Sequence, residues 1–140
     1  MVGAQRSIEF SVVDPIRRYM ARILIAEDDI GLREWLAEII LGAGHQVVTA
    51  ADGLQAKSLA KRQIFDVMLT DISMPEEEGL GLIHAIRKER PDIKIIAISG
   101  KDPETLADAK LLGANAALRK PVSAKVILQW VSELSPEKRG

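Results

Sequence analysis

Continuous apolar runs alternate with helically spaced apolar residues along this chain from Arg22 onward. The run 23–26 is short and continuous, as is typical of a strand buried on both faces of a sheet. The segment 29–43 then places apolar residues at helical spacing, and Gly44 favours the end of a helix. The same strand-then-helix pattern recurs along the chain at intervals of about 20–25 residues. It predicts five β-α units.

The repeated pattern predicts an α/β fold. The predicted strands cover residues 23–26, 46–49, 65–71, 93–98 and 116–119. The predicted helices cover residues 29–43, 52–62, 79–90 and 102–112, with a last helix after Ser123 whose inward residues are Val126, Ile127, Trp130 and Val131. Strands that alternate with helices form a parallel sheet through right-handed crossovers. We therefore predict a doubly wound, five-stranded parallel sheet with helices on both faces.

Composition restricts the classes of protein that this chain can represent. A length of 140 residues fits one domain, with 28% charged and 47% hydrophobic residues. The net charge of −1 provides no general attraction to nucleic acid or to an anionic membrane. The absence of cysteine excludes disulfides and thiolate chemistry. No apolar run is long enough to span a bilayer and no secretory signal is evident, so we expect a cytoplasmic protein.

The regular pattern also divides the chain. Residues 21–134 form the predicted domain, and residues 135–140 form a short C-terminal tail. Residues 1–20 lack the regular pattern and are predicted to be a flexible extension, with a short element that docks on the domain as the alternative.

Polar residues occupy the ends of four predicted strands. Glu27 and Asp28 follow the first strand, Asp71 ends the third, Ser99 ends the fourth and Lys120 ends the fifth. In an open parallel sheet these strand ends share one edge, where ligands bind. Crowded carboxylates repel one another unless a cation neutralises them. Magnesium suits such a site because it is a hard ion that takes oxygen ligands and keeps several waters.

The same residues could accept a phosphoryl group. Asp71 would attack as the nucleophile, while Lys120 and Ser99 would stabilise the phosphoryl oxygens. Each residue alone has a simpler explanation, since acids often open helices and a strand-end aspartate is often a cap. The order of the residues along four strand ends is the specific feature.

This set of residues resembles the receiver domain of two-component response regulators over residues 21–134. The resemblance implies a flavodoxin-like sheet of strand order 2-1-3-4-5. The resemblance implies that Glu27 and Asp28 bind Mg²⁺, and that Asp71 is both the phosphoacceptor and a metal ligand. It further implies that the backbone carbonyl of Ser73 is a metal ligand. Ser99 and Lys120 match the hydroxyl residue and the lysine of the family site.

The resemblance also implies how the protein works. The phosphoryl donor would be a sensor histidine kinase or a histidine phosphotransfer protein, and a downstream protein target would read the phosphorylated state. We expect a stand-alone regulator of the chemotaxis type, a monomer or weak dimer that binds neither nucleic acid nor membrane. It would catalyse only its own phosphoryl transfer and dephosphorylation.

Two positions depart from the family pattern. Glu78 stands where an aspartate usually precedes the glycine of the loop after the acceptor. Ala117 stands where many members carry tyrosine or phenylalanine. Alanine has no ring to rotate, so we expect the signal to pass through Ser99, the loop after it and the fourth helix.

Two other functions fit part of the pattern. A receiver-like binding module that never accepts phosphate would share the fold. A magnesium-dependent phosphohydrolase of the haloacid-dehalogenase kind would share the aspartyl phosphate. That class needs a second aspartate two residues after the nucleophile, where this chain has Ser73. Nucleotide binding is disfavoured because no glycine-rich phosphate loop is present.

Overall fold

A computed structural model describes residues 20–73, 78–100 and 102–136 of the chain. The predicted N-terminal extension, except Met20, lies outside the described residues, as does the predicted tail beyond Pro136. Among the described residues, no helix combines the length and the apolar character that crossing a membrane requires.

The described strands form one parallel sheet in the order β2-β1-β3-β4-β5, which confirms the predicted fold class and strand order. The strands are β1 (Arg22–Ala26), β2 (Gln46–Ala50), β3 (Val67–Asp71), β4 (Lys94–Ser99) and β5 (Ala116–Arg119). All five residues of β3 are buried, because this strand lies at the centre of the sheet and is covered on both faces.

A helix follows each strand of the sheet. The helices are α1 (Ile30–Gly42), α2 (Gly53–Arg62), α3 (Glu78–Glu89), α4 (Pro103–Leu112) and α5 (Ala124–Leu134). Side-chain caps fix where four of them begin, since a cap accepts hydrogen bonds from otherwise unpaired backbone N–H groups. The caps are Asp29, Asp52, Asp102 and Ser123. Each of these four helices begins at a defined position shortly after a strand, at the same edge of the sheet as the polar residues.

Apolar residues pack on each face of the sheet. On one face, Leu36 and Ile40 of α1 pack with Ile127 and Val131 of α5. On the other face, α2, α3 and α4 cover the sheet. The prediction that Val126 faces inward is wrong, because this side chain is 36% exposed. It precedes Ile127 by one residue, which is about 100° around a helix with 3.6 residues per turn.

Candidate metal and phosphoryl-acceptor site

Asp71 is the last residue of β3, and its side chain lies beneath the surface at the carboxyl edge of the sheet. The residue is 3% exposed, yet both carboxylate oxygens have partners. The backbone N–H of Ser73 donates to Oδ1 at 2.8 Å. The ammonium group of Lys120 donates to Oδ2 at 3.0 Å. The two oxygens of Asp71 are therefore fixed by an amide on one side and a cation on the other.

The acidic residues after β1 have separate roles. Glu27, Asp28 and Asp71 each place one carboxylate oxygen so that the three lie within 4.8 Å of one another. Asp29 instead accepts hydrogen bonds from the backbone of Gly31 and Leu32 at 2.9 and 3.2 Å. The expectation that acids open a helix is therefore met by Asp29, while the preceding two acids lie with Asp71.

Glu27 is the most deeply buried of these acids. It is 1% exposed, and its Oε2 accepts a hydrogen bond from the backbone N–H of Asp29 at 3.1 Å. Its other oxygen, Oε1, is buried without a hydrogen-bond partner among the described residues. Burial, with further repulsion from Asp71, raises the pKa of Glu27 to about 8.

These features fit a bound Mg²⁺ ion. A buried carboxylate oxygen that lacks a partner costs free energy, and a coordinated cation would remove that cost. The donor set of Glu27, Asp28 and Asp71 consists of carboxylate oxygens, which hard divalent cations prefer. The same cation would offset both the burial and the repulsion from Asp71 that raise the pKa of Glu27.

Lys120 supplies the positive charge of the site. Burial alone would lower the pKa of Lys120, but the hydrogen bond and charge of Asp71 outweigh it, and the pKa is raised. The ammonium group therefore stays charged at neutral pH. Its side chain is 30% exposed, so it lies at the boundary between Asp71 and the solvent.

Ser99 ends β4 and is fully buried. Its hydroxyl oxygen lies 3.3 Å from that of Ser73, and either group can be the donor. The backbone N–H of Lys120 donates to the carbonyl of Ser99 at 2.9 Å. Ser99, Ser73 and Lys120 are thus placed around Asp71 by the ends of β3, β4 and β5.

Arg33 belongs to this region but was not predicted from the sequence. Its guanidinium group reaches back from α1 and donates to the backbone carbonyl of Glu27 at 2.8 Å. This contact joins the second turn of α1 to the residue that ends β1, next to the acidic cluster. The sequence feature that could have identified Arg33 is its position six residues after Glu27, the first acid of the cluster.

Ala117 lies in β5 opposite Ala97 of β4, and its side chain is half-buried. It packs at the margin of the apolar layer formed with α2, α3 and α4. No aromatic ring is present at this position to fill space near the end of β4.

This chain belongs to the response regulator receiver domain family, whose model matches residues 23–132. CpdR of Brucella abortus, a response regulator receiver protein, is 35% identical over 111 residues, which cover 74% of this chain and 92% of CpdR. A response regulator receiver protein of Anaeromyxobacter is 36% identical over 110 residues, which cover 78% of this chain and 46% of that protein. The predicted family is therefore confirmed.

Solved structures show the same fold. The chemotaxis protein CheY4 of Vibrio cholerae is similar with a TM-score of 0.77 and 30% identity, over 82% of this chain and 98% of CheY4. TrrA of Thermotoga maritima, solved in complex with Mg²⁺ and BeF, has a TM-score of 0.75 and 28% identity, over 82% of this chain and 99% of TrrA.

Proposed function

We propose that this protein is a signalling switch that accepts a phosphoryl group on Asp71 and acts through binding to other proteins. The observation that carries the proposal is the placement of the Asp71 carboxylate. It is nearly buried, it contacts Lys120 at 3.0 Å, and it lies beside two further carboxylates. A carboxylate at the edge of a parallel sheet, next to a lysine and a cation site, is suited to attack phosphorus.

The chemical step transfers a phosphoryl group without oxidation or reduction. A carboxylate oxygen of Asp71 forms a bond to phosphorus while the bond from phosphorus to the donor's leaving group breaks. The bonding electrons leave with that group, which is an imidazole nitrogen when the donor is a phosphohistidine. Lys120 contacts Asp71 directly, and Ser99 contacts Ser73 beside it, so both residues would stabilise the negative charge of the phosphoryl oxygens.

Four residues would hold Mg²⁺ in the proposed site. Glu27, Asp28 and Asp71 would do so through carboxylate oxygens, and Ser73 through its backbone carbonyl. When bound, the ion neutralises negative charge on the carboxylates and on the phosphoryl oxygens. The likeness to TrrA, which was solved with Mg²⁺ and BeF, supports this assignment.

We propose a histidine kinase or a histidine phosphotransfer protein as the donor, and a downstream protein as the target. The likeness to CpdR, a receiver protein, and to the chemotaxis protein CheY4 supports a role in phosphorylation-dependent signalling. In this role the protein turns over no external substrate and catalyses only its own phosphoryl transfer and dephosphorylation. We propose that the protein meets these kinases and phosphotransfer proteins in the cytoplasm.

Intact-protein mass spectrometry tests the proposal. The wild type is incubated with acetyl phosphate or phosphoramidate, with and without Mg²⁺, beside Asp71→Asn. Asp92→Asn is a matched control, because Asp92 is an exposed aspartate in the loop before β4. We expect a single phosphoryl adduct that needs Mg²⁺, persists in the control and disappears in Asp71→Asn. A folded, Mg²⁺-replete protein without adduct would instead be a phosphorylation-independent binding module.

A further inference from the structure

The hydroxyl groups of Ser73 and Ser99 contact each other at the edge of the candidate site. We infer that Ser73 is a positioning residue, whose hydroxyl holds that of Ser99 in the unphosphorylated protein and so opposes phosphoryl-group binding. This inference rests on the proposed function, because it concerns how the same site responds to the phosphoryl group.

The backbone brings the two serines together. β3 and β4 pair up to Asp71 and Ile98, and the N–H of Ile72 then donates to the carbonyl of Ile98 at 2.9 Å. Ser73 and Ser99 follow this last backbone hydrogen bond, and their hydroxyl oxygens lie 3.3 Å apart. The side-chain contact therefore extends the pairing of the two strands beyond the end of their backbone ladder.

Ser73 also contacts the acceptor directly. Its backbone N–H donates to Oδ1 of Asp71 at 2.8 Å, while Lys120 binds Oδ2 of the same carboxylate at 3.0 Å. The N–H of Lys120 donates to the carbonyl of Ser99 at 2.9 Å. These contacts form a closed ring of four residues: Asp71, Ser73, Ser99 and Lys120. Asp71 is therefore connected to Ser99 both through Ser73 and through Lys120.

Phosphorylation would change the balance of these contacts. Forming the bond to phosphorus moves negative charge from the carboxylate of Asp71 to the phosphoryl oxygens. A hydroxyl donates more strongly to a charged oxygen than to a neutral hydroxyl. We take Ser99 as the donor of the pair, so that its hydroxyl would exchange the Ser73 oxygen for a phosphoryl oxygen, and the lost Ser73 contact would subtract from the gain.

The residue at position 117 makes this contact more important in this chain. Ala117 lies opposite Ala97, two residues before Ser99, and it carries only a methyl group. Movement of Ser99 therefore meets no rotating ring on β5. Among the described residues, the hydroxyl of Ser73 is a side-chain partner that Ser99 would have to release.

Beryllofluoride, which mimics a phosphoryl group on a carboxylate, provides the test. Its affinity at saturating Mg²⁺ is measured by isothermal titration calorimetry for wild type, Ser73→Ala, Ser73→Thr, Ser99→Ala and the double variant Ser73→Ala/Ser99→Ala. Since a neutral hydrogen bond contributes modestly to stability, we expect Ser73→Ala to tighten binding by roughly 2- to 10-fold. Ser73→Thr, which keeps a hydroxyl, should restore wild-type affinity. In the Ser99→Ala background, removal of the Ser73 hydroxyl should have no effect.

Three results would overturn the inference. Weaker binding by Ser73→Ala would mean that the Ser73 hydroxyl contacts the ligand itself. Unchanged binding would mean that the contact between the two hydroxyl groups does not oppose binding of the ligand. Equal tightening with and without Ser99 would assign the effect to the loop rather than to the pair of hydroxyls. Ser73→Gly provides a second hydroxyl-free variant if Ser73→Ala does not fold.

The wild type distinguishes failure of this inference from failure of the proposed function. Wild-type protein that binds no beryllofluoride with Mg²⁺ would contradict the phosphoacceptor assignment as well. Wild-type binding with an unaltered Ser73→Ala affinity would contradict only the role of Ser73.

Discussion

Replacing Glu27 with glutamine should stabilise the metal-free protein at neutral pH. Glu27 is buried, its Oε1 has no hydrogen-bond partner among the described residues, and Asp71 repels its charge. Glutamine has nearly the same shape, and its carbonyl oxygen can still accept the hydrogen bond from the backbone N–H of Asp29. The substitution therefore replaces a group that must take up a proton on folding at neutral pH with a neutral one, while it keeps the local packing.

The size of the effect follows from the pKa of Glu27. The pKa rises from 4.5 to about 8 on folding, so the folded protein binds a proton that the unfolded chain has already released. The stabilising contribution of this proton is fully present below pH 4.5 and is lost as the pH rises through about 8. At pH 7, Glu27→Gln should be more stable than wild type by about 2–4 kcal/mol, since each pKa unit corresponds to ~1.4 kcal/mol.

Urea unfolding in EDTA, followed by circular dichroism at several pH values, measures this difference. The difference in free energy of unfolding between Glu27→Gln and wild type should be close to zero at low pH and should grow toward pH 8. Added Mg²⁺ should stabilise wild type more than the variant, because the variant has lost one carboxylate ligand. A difference that stays constant with pH would refute the assignment of a buried, protonated Glu27.

Two further predictions concern residues outside the acidic cluster. Arg87→Met should lower the free energy of unfolding by about 2–4 kcal/mol in urea titrations, because Arg87 donates hydrogen bonds to the carbonyls of Gly113 and Ile93, among others. Arg87→Lys should lower the free energy of unfolding by less than Arg87→Met does. A decrease under about 1 kcal/mol for Arg87→Met would contradict this role. Burial lowers the pKa of His45, whose Nδ1 accepts from the N–H of Ala21 at 3.0 Å, so wild type should lose stability as the pH falls below 6.5. His45→Asn keeps an acceptor that does not titrate, so its melting temperature should fall less than that of wild type as the pH is lowered. Parallel pH profiles of the two melting temperatures would be evidence against the assignment.

The positions of the strands and the starts of most helices could be predicted from the sequence because local chemistry decides them. The strand order is not local, and its prediction comes from the resemblance to the receiver family. A continuous apolar run such as that of β3 must be buried on both faces, and Asp52, Asp102 and Ser123 cap helices through their own short side chains. The exposed Val126 shows where this reasoning ends, since an apolar residue at the margin of a helix stripe is buried only if a neighbour covers it.

Contacts between separate loops could not be predicted in the same way. The 3.3 Å approach of Ser73 to Ser99 depends on the register of β3 and β4 and on the backbone after each strand. Likewise, the sequence did not predict that the guanidinium group of Arg33 reaches back from α1 to the carbonyl of Glu27. Such contacts depend on which way a side chain points in three dimensions, and this is not encoded in the spacing of polar residues alone.

Reductive trapping of the acyl phosphate tests the central claim most directly. Protein treated with acetyl phosphate and Mg²⁺ is reduced with borohydride, which converts an aspartyl phosphate to homoserine, and its peptides are then mapped by mass spectrometry. We expect homoserine at position 71 and none at Asp28, Asp29 or the control residue Asp92. Homoserine at another aspartate, or an adduct that maps away from Asp71, would contradict the assignment of Asp71 as the phosphoacceptor.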